Sequence, residues 1–264
     1  MKRALTILLL AILSGAALAE DQRIWASPTY GKVDPREYLP QSVYTSCRFW
    51  ACINQDPASF ATWGVPDGSL SRNNGAQTNA NSRPSFFAGA TNGNGCLSFD
   101  GTDDAYGATG NNFVGNAFSV FAWVKNLGTN RQPFIVCGEA TDIFRCYLGT
   151  GTGNGYIFAT RASLTNTVIV ASTNAMSTNV WFFCGGTYNG ATARIYLNGV
   201  DSGNATGTTT PATNNAVVFG YGANTFAWGA VRFKGLLDAA MIFDRVLTDG
   251  EIMAIYNATK GSHP

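Results

Sequence analysis

The C-terminal part of this 264-residue chain constrains its fold more than any other feature. Residues 233–243 form a long, mostly apolar run, and a short amphipathic segment follows. Thr248 is a suitable N-cap, and Glu251, three residues further on, completes a capping box. Leu247 and Ile252 are spaced as a hydrophobic staple around this cap. The sequence therefore predicts a buried strand that leads into a helix packed on a sheet.

A second strand is predicted over residues 117–125, where side chains alternate regularly. One face carries Phe118, Val120, Ala122 and Val124, and the other carries Ser119, Phe121, Trp123 and Lys125. Bulky side chains on both faces are typical of a central strand that is covered on both sides.

Two Asn-Gly pairs, Asn189-Gly190 and Asn198-Gly199, lie between strand-like runs. Both residues of such a pair tolerate the positive φ of a type I′ turn, the turn that matches the twist of paired strands. We therefore expect residues 180–188, 191–197 and 200–203 to form an antiparallel meander.

The N-terminus has the pattern of an export signal. Lys2 and Arg3 precede an apolar run at residues 4–13, which is too short to span a bilayer, and residues 17–19 (ALA) resemble a cleavage site. Residues 1–19 are therefore predicted to be removed and the chain exported, to the periplasm, the surface or the medium of a bacterium. Residues 20–41, rich in proline, charge and aromatic groups, are expected to form an N-terminal extension.

Charged residues make up only 12% of the chain. Loss of Lys2 and Arg3 reduces the 17 basic residues to 15, against 16 acidic residues, for a net charge of −1. The chain therefore lacks the basic footprint of nucleic-acid-binding proteins, and we expect no such partner. Abundant Gly, Asn, Thr and Ser favour strands and turns over helices.

Six cysteines follow the predicted signal: Cys47, Cys52, Cys96, Cys137, Cys146 and Cys184. An even number in an exported chain indicates disulfides. Local spacing favours Cys137–Cys146, which face each other if residues 141–142 form a two-residue turn. Cys47–Cys52 is the next most local pair and leaves Cys96–Cys184. Other connectivities and buried free thiols remain open alternatives.

Five segments, taken in order, resemble the laminin-G-like family of concanavalin A-like jelly-roll domains. They are residues 97–104 (LSFDGTDD), 118–125 (FSVFAWVK), 181–190 (WFFCGGTYNG), 195–200 (IYLNGV) and 235–252 (GLLDAAMIFDRVLTDGEI). Together these segments imply one laminin-G-like domain over residues 42–260, followed by a tail at 261–264. The chain departs from the family at residues 47–52, which replace the usual opening strand, and at Cys184.

The resemblance implies an all-β fold, a two-sheet antiparallel jelly-roll β-sandwich with a short C-terminal helix. Some relatives hold Ca²⁺ near the acidic turn and the closing strand. A structural Ca²⁺ bound by Asp103, Asp104 and Asp238 is therefore implied, because Ca²⁺ takes six to eight oxygen ligands. In the alternative interpretation, the aspartates of the turn bond their own backbone, and Asp238 is a hydrogen-bonding strand residue.

The segment 221–229 (YGANTFAWG) suggests glycan binding, since sugar rings stack on aromatic faces and amides bond their hydroxyls. The candidate ligand-binding residues are Tyr221, Asn224, Phe226, Trp228 and, in a separate loop, Trp63. The alternative is that Phe226 and Trp228 fold inward and close one end of the sandwich.

Catalysis is not expected from this sequence. Glycoside hydrolysis needs two carboxylates about 5–9.5 Å apart, and none of the four glutamates after the signal lies in the E-x-D-x-x-E motif of related glycanases. The only histidine, His263, would join a triad only if the tail folded back. We expect a secreted or surface-associated, non-catalytic carbohydrate-binding module whose partner is a glycan or a surface protein. The alternatives are a structural component of a surface, envelope or virion, and a hydrolase with an unrecognised site.

Overall fold

Strands dominate the computed structural model. It describes residues 39–51, 53, 57–59, 64–91, 94–110, 115–129, 131–138, 143–151, 155–163, 165–175, 177–209, 216–222 and 230–263. The strands are β1 (Cys47–Trp50), β2 (Gly64–Val65), β3 (Gly75–Ala76), β4 (Ser85–Thr91), β5 (Asn94–Asp100), β6 (Tyr106–Ala108), β7 (Phe118–Asn126), β8 (Pro133–Cys137), β9 (Phe144–Thr150), β10 (Gly155–Arg161), β11 (Thr167–Ala175), β12 (Trp181–Tyr188), β13 (Thr192–Leu197), β14 (Val200–Thr206), β15 (Val217–Phe219), β16 (Tyr221–Gly222), β17 (Val231–Arg232) and β18 (Lys234–Phe243). Helix α1 covers Gln41–Thr45, and helix α2 covers Asp249–Thr259.

Two antiparallel sheets form the sandwich. The first has the order β14-β13-β12-β7-β18-β5-β4, with β1 also paired to β18. The second has the order β11-β10-β9-β8-β15-β6-β3-β2, and β16 and β17 form a separate two-stranded ribbon. The predicted all-β jelly-roll sandwich with a short C-terminal helix is therefore confirmed. Residues 1–38, which include the predicted signal and most of the extension, lie outside the described residues.

Strand β7 is buried on both faces, as its sequence predicts. Its inward side chains are Phe118, Val120, Ala122 and Val124, which lie in the core between the sheets. Its outward Phe121 and Trp123 belong to a second cluster, on the face that α2 covers. Ile252 and Ile255 of α2 join that cluster, so one strand organises both hydrophobic layers.

The predicted capping box of α2 is present. The Thr248 side chain accepts from the backbone N–H of Glu251, and the Glu251 carboxylate accepts from the backbone N–H of Thr248 at 2.8 Å. Leu247 and Ile252 are both buried, as expected of a hydrophobic staple. These local interactions fix where the helix begins on the outer face of the first sheet.

The meander β12-β13-β14 is confirmed, but only one of its Asn-Gly pairs forms the predicted turn. Asn198 and Gly199 both have positive φ, 50° and 81°, as in a type I′ turn. At the other hairpin only Gly190 has positive φ, 93°. There the Asn189 carboxamide oxygen accepts from the backbone N–H of Ala191 at 2.9 Å, which stabilises a different turn.

The predicted C-terminal strand, residues 233–243, begins at Lys234 and is interrupted by a bulge. Phe233 separates β17 from β18, and a bulge interrupts the pairing of β18 with β7 between Asp238 and Met241. Ala239 within this bulge has φ +46°, the left-handed region that a non-glycine residue rarely adopts. Such bulges redirect neighbouring side chains, and here the side chain concerned is Asp238.

The polar segment 67–84 contains β3 and a 3₁₀ helix at Ala80–Ser82. Its start is held by the buried carboxylate of Asp67. This group accepts from the backbone N–H of Trp50 at 2.8 Å and from that of Asn73 at 2.7 Å. Hydrogen bonds to the Asp67 carboxylate therefore anchor this segment to β1.

The five described cysteines are all buried thiols. The predicted pair Cys96–Cys184 cannot form, because the two side chains lie on opposite faces of the first sheet, Cys184 in the core and Cys96 in the outer cluster. Cys47 donates its thiol hydrogen to the Phe49 carbonyl at 3.3 Å, and its predicted partner Cys52 lies outside the described residues.

Cys137 and Cys146 are direct partners in the pairing of β8 with β9, as the predicted hairpin requires. Both are free thiols here, and burial raises the pKa of Cys146. The disulfide between them stays a prediction.

Candidate functional site

The acidic turn after β5 brings three carboxylates together. Ligand oxygens of Asp100, Asp103 and Asp104 lie within 4.8 Å of one another. Asp104 accepts from the backbone N–H of Asp100 at 2.8 Å, Asp100 accepts from that of Thr102 at 2.7 Å, and Asp103 accepts from the Ser82 hydroxyl at 3.2 Å. Asp100 and Asp104 thus make turn-forming bonds, as in the alternative interpretation, whereas Asp103 is held by the side chain of Ser82.

The electrostatics of this turn would be relieved by a cation. Burial raises the pKa of Asp104, and the neighbouring charges of Asp100 and Asp103 raise it further. The pKa of Asp100 is lowered, chiefly by the hydrogen bond from Thr102. With one oxygen each, the three carboxylates would supply part of the six to eight ligands that Ca²⁺ takes, and backbone carbonyls or water would have to supply the rest.

The structure corrects the grouping of Asp238 with this turn. Lys234 pairs with Asp100, and Asp238 lies four residues further along β18, which at about 3.3 Å per residue is about 13 Å away. One Asp238 carboxylate oxygen instead lies 2.9 Å from Nε2 of His263. The other accepts from the backbone N–H of Ala239 at 2.7 Å. Asp238 therefore belongs to a different, buried constellation.

His263 folds back onto the outer face of the first sheet. Its ring stacks on Trp123 with centroids 4.1 Å apart and meets the edge of Trp181 at 5.1 Å. Nδ1 lies 3.0 Å from the carbonyl oxygen of Thr259. Because the His263 side chain is only 2% exposed, this His-Asp pair has no open face for a substrate and serves to fix the C-terminus.

Of the predicted ligand-binding residues, only Tyr221 is described; Asn224, Phe226, Trp228 and Trp63 lie outside the described residues. Tyr221 is half-buried on the ribbon β16-β17, directly opposite Arg232. The Arg232 guanidinium lies 3.5 Å from the centroid of the Tyr221 ring. One aromatic face is thus already covered by a cation, so Tyr221 offers a sugar at most its other face.

A polar groove of about 380 Å³ lies on the outer face of the first sheet, beside the start of α2. Strands β12 and β13 and their turn contribute Thr187, Asn189, Thr192, Arg194 and Tyr196, and the segment before α2 contributes Val246, Leu247, Thr248 and Asp249. Its size is at the lower end of the range for small-ligand sites. We call it the β13–α2 groove.

Ser119 of β7 sets the wall of this groove. Its hydroxyl donates to the carbonyl oxygen of Arg245 at 2.8 Å and accepts from the backbone N–H of Leu247 at 2.9 Å. The segment before α2 is thereby tied to the sheet, and the groove does not depend on a loose loop.

Several hydrogen-bonding groups in the groove have no partner among the described residues. Thr187 is only 2% exposed, lines the groove, and its hydroxyl forms no hydrogen bond with any described residue. The same holds for the hydroxyl of Thr192. The Asn189 carboxamide oxygen is used by its turn, whereas its NH₂ group forms no bond within the described part of the chain. The groove therefore offers donors and acceptors to a ligand.

One cation and two carboxylates border these groups. Nη1 of Arg194 lies 3.2 Å from Asp201 and 3.9 Å from Asp249. The Tyr196 hydroxyl donates to Asp249 at 2.8 Å, and the Tyr196 ring is buried against the outer cluster. The hydrogen bond with Tyr196 raises the pKa of Arg194, and the nearby charges of Asp201 and Asp249 raise it further.

Sequence reasoning missed this groove because its parts are distant along the chain. Thr187 and Asp249 meet only because α2 begins over the ends of β12 and β13. A signal was present in the outward-facing positions of β13, where Thr192 and Arg194 are polar on the face that elsewhere carries aromatic residues.

The two antiparallel sheets define a jelly-roll sandwich of the concanavalin A-like class. Residues 99–253 match the family model of the concanavalin A-like lectin/glucanase superfamily, of the laminin-G type. The chain belongs to this superfamily. A comparison with curated protein sequences found no match. Across the described residues, no helix is both long and apolar enough to cross a membrane.

Solved structures with this fold include domain 4 of an extracellular GH43 arabinanase from Geobacillus stearothermophilus, in complex with arabinotriose. It has a TM-score of 0.52 and 18% identity, over 66% of this chain and 81% of that one. The binding domain of Paraclostridial Mosquitocidal Protein 1 matches with a TM-score of 0.62 and 11% identity, over 82% and 53%. Botulinum neurotoxin type C, whose cell entry depends on interaction with two ganglioside molecules, matches with a TM-score of 0.61 and 14% identity, over 83% and 52%. The chain spans about half the length of these toxin chains, and identities this low establish the fold alone.

Proposed function

We propose that this protein is a secreted, non-catalytic carbohydrate-binding module and that a sugar occupies the β13–α2 groove. The observation that carries the proposal is the set of unpaired polar groups there, headed by the hydroxyl of Thr187, a residue that is buried apart from its contact with the groove. Sugar hydroxyls both donate and accept, and the groove offers hydroxyls, an amide NH₂ and a carboxylate. Val246, which is partly exposed, supplies an apolar surface for the C–H groups of a sugar ring. The glycan-binding neighbours in this fold support the proposal.

Binding without cleavage fits the charges of the groove. A glycosidase needs one carboxylate in an environment that keeps it protonated. Asp201 and Asp249 both contact Arg194 instead, and the Asp249 side chain is 70% exposed. Neither carboxylate has the apolar surroundings of a general acid, so we assign them to binding.

We expect the variant Thr187→Val/Thr192→Val to bind glycans about 30-fold more weakly than the native protein. The substitution preserves shape and removes two hydroxyls, each forming a hydrogen bond worth about 1 kcal/mol. The measurement is a glycan and polysaccharide array in millimolar calcium, followed by calorimetric titration of each glycan that binds.

Thr173→Val/Thr208→Val is the matched control, because both threonines are exposed and outside the groove. Its affinity is expected to equal that of the native protein. Binding that survives the groove substitution would place the sugar elsewhere. An array without any bound glycan would refute carbohydrate binding and favour an assembly role.

A structural Ca²⁺ at the acidic turn is a further part of the proposal. Extracellular sites of this kind have dissociation constants of about 10⁻⁴–10⁻³ M, so 10 mM CaCl₂ should stabilise the fold by about 1.4–2.7 kcal/mol. Thermal unfolding of the native protein and of Asp103→Asn, with CaCl₂ or MgCl₂, measures this effect. Equal shifts with both salts, or in both proteins, would contradict a specific calcium site.

A further inference from the structure

Among the described residues, the lining of the β13–α2 groove offers no uncompensated positive charge. Arg194 on β13 is its one cation within the described residues, and it lies between Asp201 of β14 and Asp249 of α2. Its Nη1 is directed at these carboxylates, so the positive charge is already compensated. The side chain of Asp249 is 70% exposed and remains open to a ligand.

The beginning of α2 does not add an available positive charge to the groove. A helix N-terminus usually favours anions through its partial positive charge. Here the first turn contains two acidic residues, Asp249 and Glu251, and the backbone N–H groups of Thr248 and Glu251 are used in the capping box. Nitrogens of Arg245 bind both carboxylate oxygens of Glu251, at 2.7 and 2.8 Å. Arg245 is therefore engaged and does not add a free cation to the groove.

The groups left for a ligand suit uncharged hydroxyls. The hydroxyls of Thr187 and Thr192 donate or accept, the amide of Asn189 donates, and the second oxygen of Asp249 accepts. A ligand carboxylate or sulfate would instead lie beside Asp249 and Asp201 without an unpaired cation to meet it. Like charges placed together across an interface disfavour a partner strongly.

We propose that this groove selects uncharged sugars and excludes sugars that carry a carboxylate or a sulfate, such as sialic and uronic acids. The inference rests on the proposed function and adds the chemical class of its ligand. The volume of about 380 Å³ is small for an oligosaccharide site, so the groove holds the end of a neutral chain. Asp201 and Asp249 determine this specificity by holding Arg194 and repelling anions.

The test uses glycan pairs that differ chiefly in acidic groups, printed on one array: galactotriose with trigalacturonate, and lactose with 3′-sialyllactose, together with neutral arabino- and cello-oligosaccharides. The native protein is expected to bind neutral members at least about 10-fold more tightly than acidic ones. In Asp201→Asn/Asp249→Asn, which frees Arg194, that ratio is expected to fall about 10-fold. Asp244→Asn is the control, since it removes a negative charge that is paired with Arg48 outside the groove, and its ratio should match the native one.

The outcomes separate this inference from the function on which it rests. Glycan binding with equal or greater affinity for acidic members would overturn the neutral specificity and leave carbohydrate binding intact. An unchanged ratio in the double Asp variant would also overturn it. Absence of binding to every printed glycan would overturn both.

Discussion

Replacing His263 by alanine is expected to lower the free energy of unfolding by about 2–4 kcal/mol, because it leaves the buried Asp238 carboxylate without one hydrogen-bond partner and removes a packed ring. Nδ1 of His263 lies 3.0 Å from the Thr259 carbonyl oxygen, and Nε2 lies 2.9 Å from an Asp238 carboxylate oxygen. Without the imidazole, Asp238 stays buried without this partner, and Trp123 loses the ring stacked on it.

Guanidinium denaturation followed by tryptophan fluorescence measures this loss. Asp238→Asn keeps the acceptor for the N–H of Ala239 and removes the charge, so in the His263→Ala background it should recover part of the stability. Lys260→Ala, at an exposed residue near the same end, should change stability by less than about 0.5 kcal/mol. A loss below about 1 kcal/mol, or no coupling between His263 and Asp238, would show that the tail does not anchor the sheet.

Asp67→Ala is expected to destabilise the fold by about 3–4 kcal/mol, because it leaves several buried hydrogen-bond donors without an acceptor. The carboxylate, 1% exposed, accepts from the backbone N–H groups of Trp50, Ser69 and Asn73 and from the Ser69 hydroxyl, at 2.7–2.9 Å. Burial raises the pKa of Asp67, and these four hydrogen bonds oppose that shift.

The matched comparison is Asp67→Asn, which keeps one oxygen acceptor and turns an NH₂ group toward two of the donors. Its loss should lie between those of the native protein and Asp67→Ala. Thr78→Ala, an exposed change in the same segment, should be nearly neutral. Equal stability of Asp67→Ala and Thr78→Ala in urea denaturation would contradict the anchoring role.

Local patterns in the sequence predicted much of the sandwich. Alternation in β7 identified both of its buried faces, since side chains of a strand point alternately to opposite sides. The capping box and staple of α2 involve residues three to five positions apart, so their chemistry is legible without the fold. The same is true of Asn198-Gly199, where the turn residues alone select the type I′ geometry.

Interactions between distant segments were harder to predict. No sequence pattern predicted the contact between His263 and Asp238, because that contact joins the tail to a bulged strand. The sequence spacing allowed a disulfide between Cys96 and Cys184. In the fold, side-chain alternation along β5 and β12 directs these two side chains to opposite faces of the first sheet. Asn189-Gly190 has the same two residues as Asn198-Gly199. Its turn is different because the Asn189 side-chain oxygen accepts from the backbone N–H groups of Ala191 and Thr192.

By itself, the sequence determined the strand-rich class, the central strand and the start of the C-terminal helix, because these depend on side-chain alternation and on bonds within one helical turn. Only the tertiary structure decided the site. The β13–α2 groove exists because α2 begins over the ends of β12 and β13, which brings Thr187 and Arg194 to Asp249. The burial of Thr187 and the compensation of Arg194 by two carboxylates are properties of that packing, and no short stretch of sequence contains them.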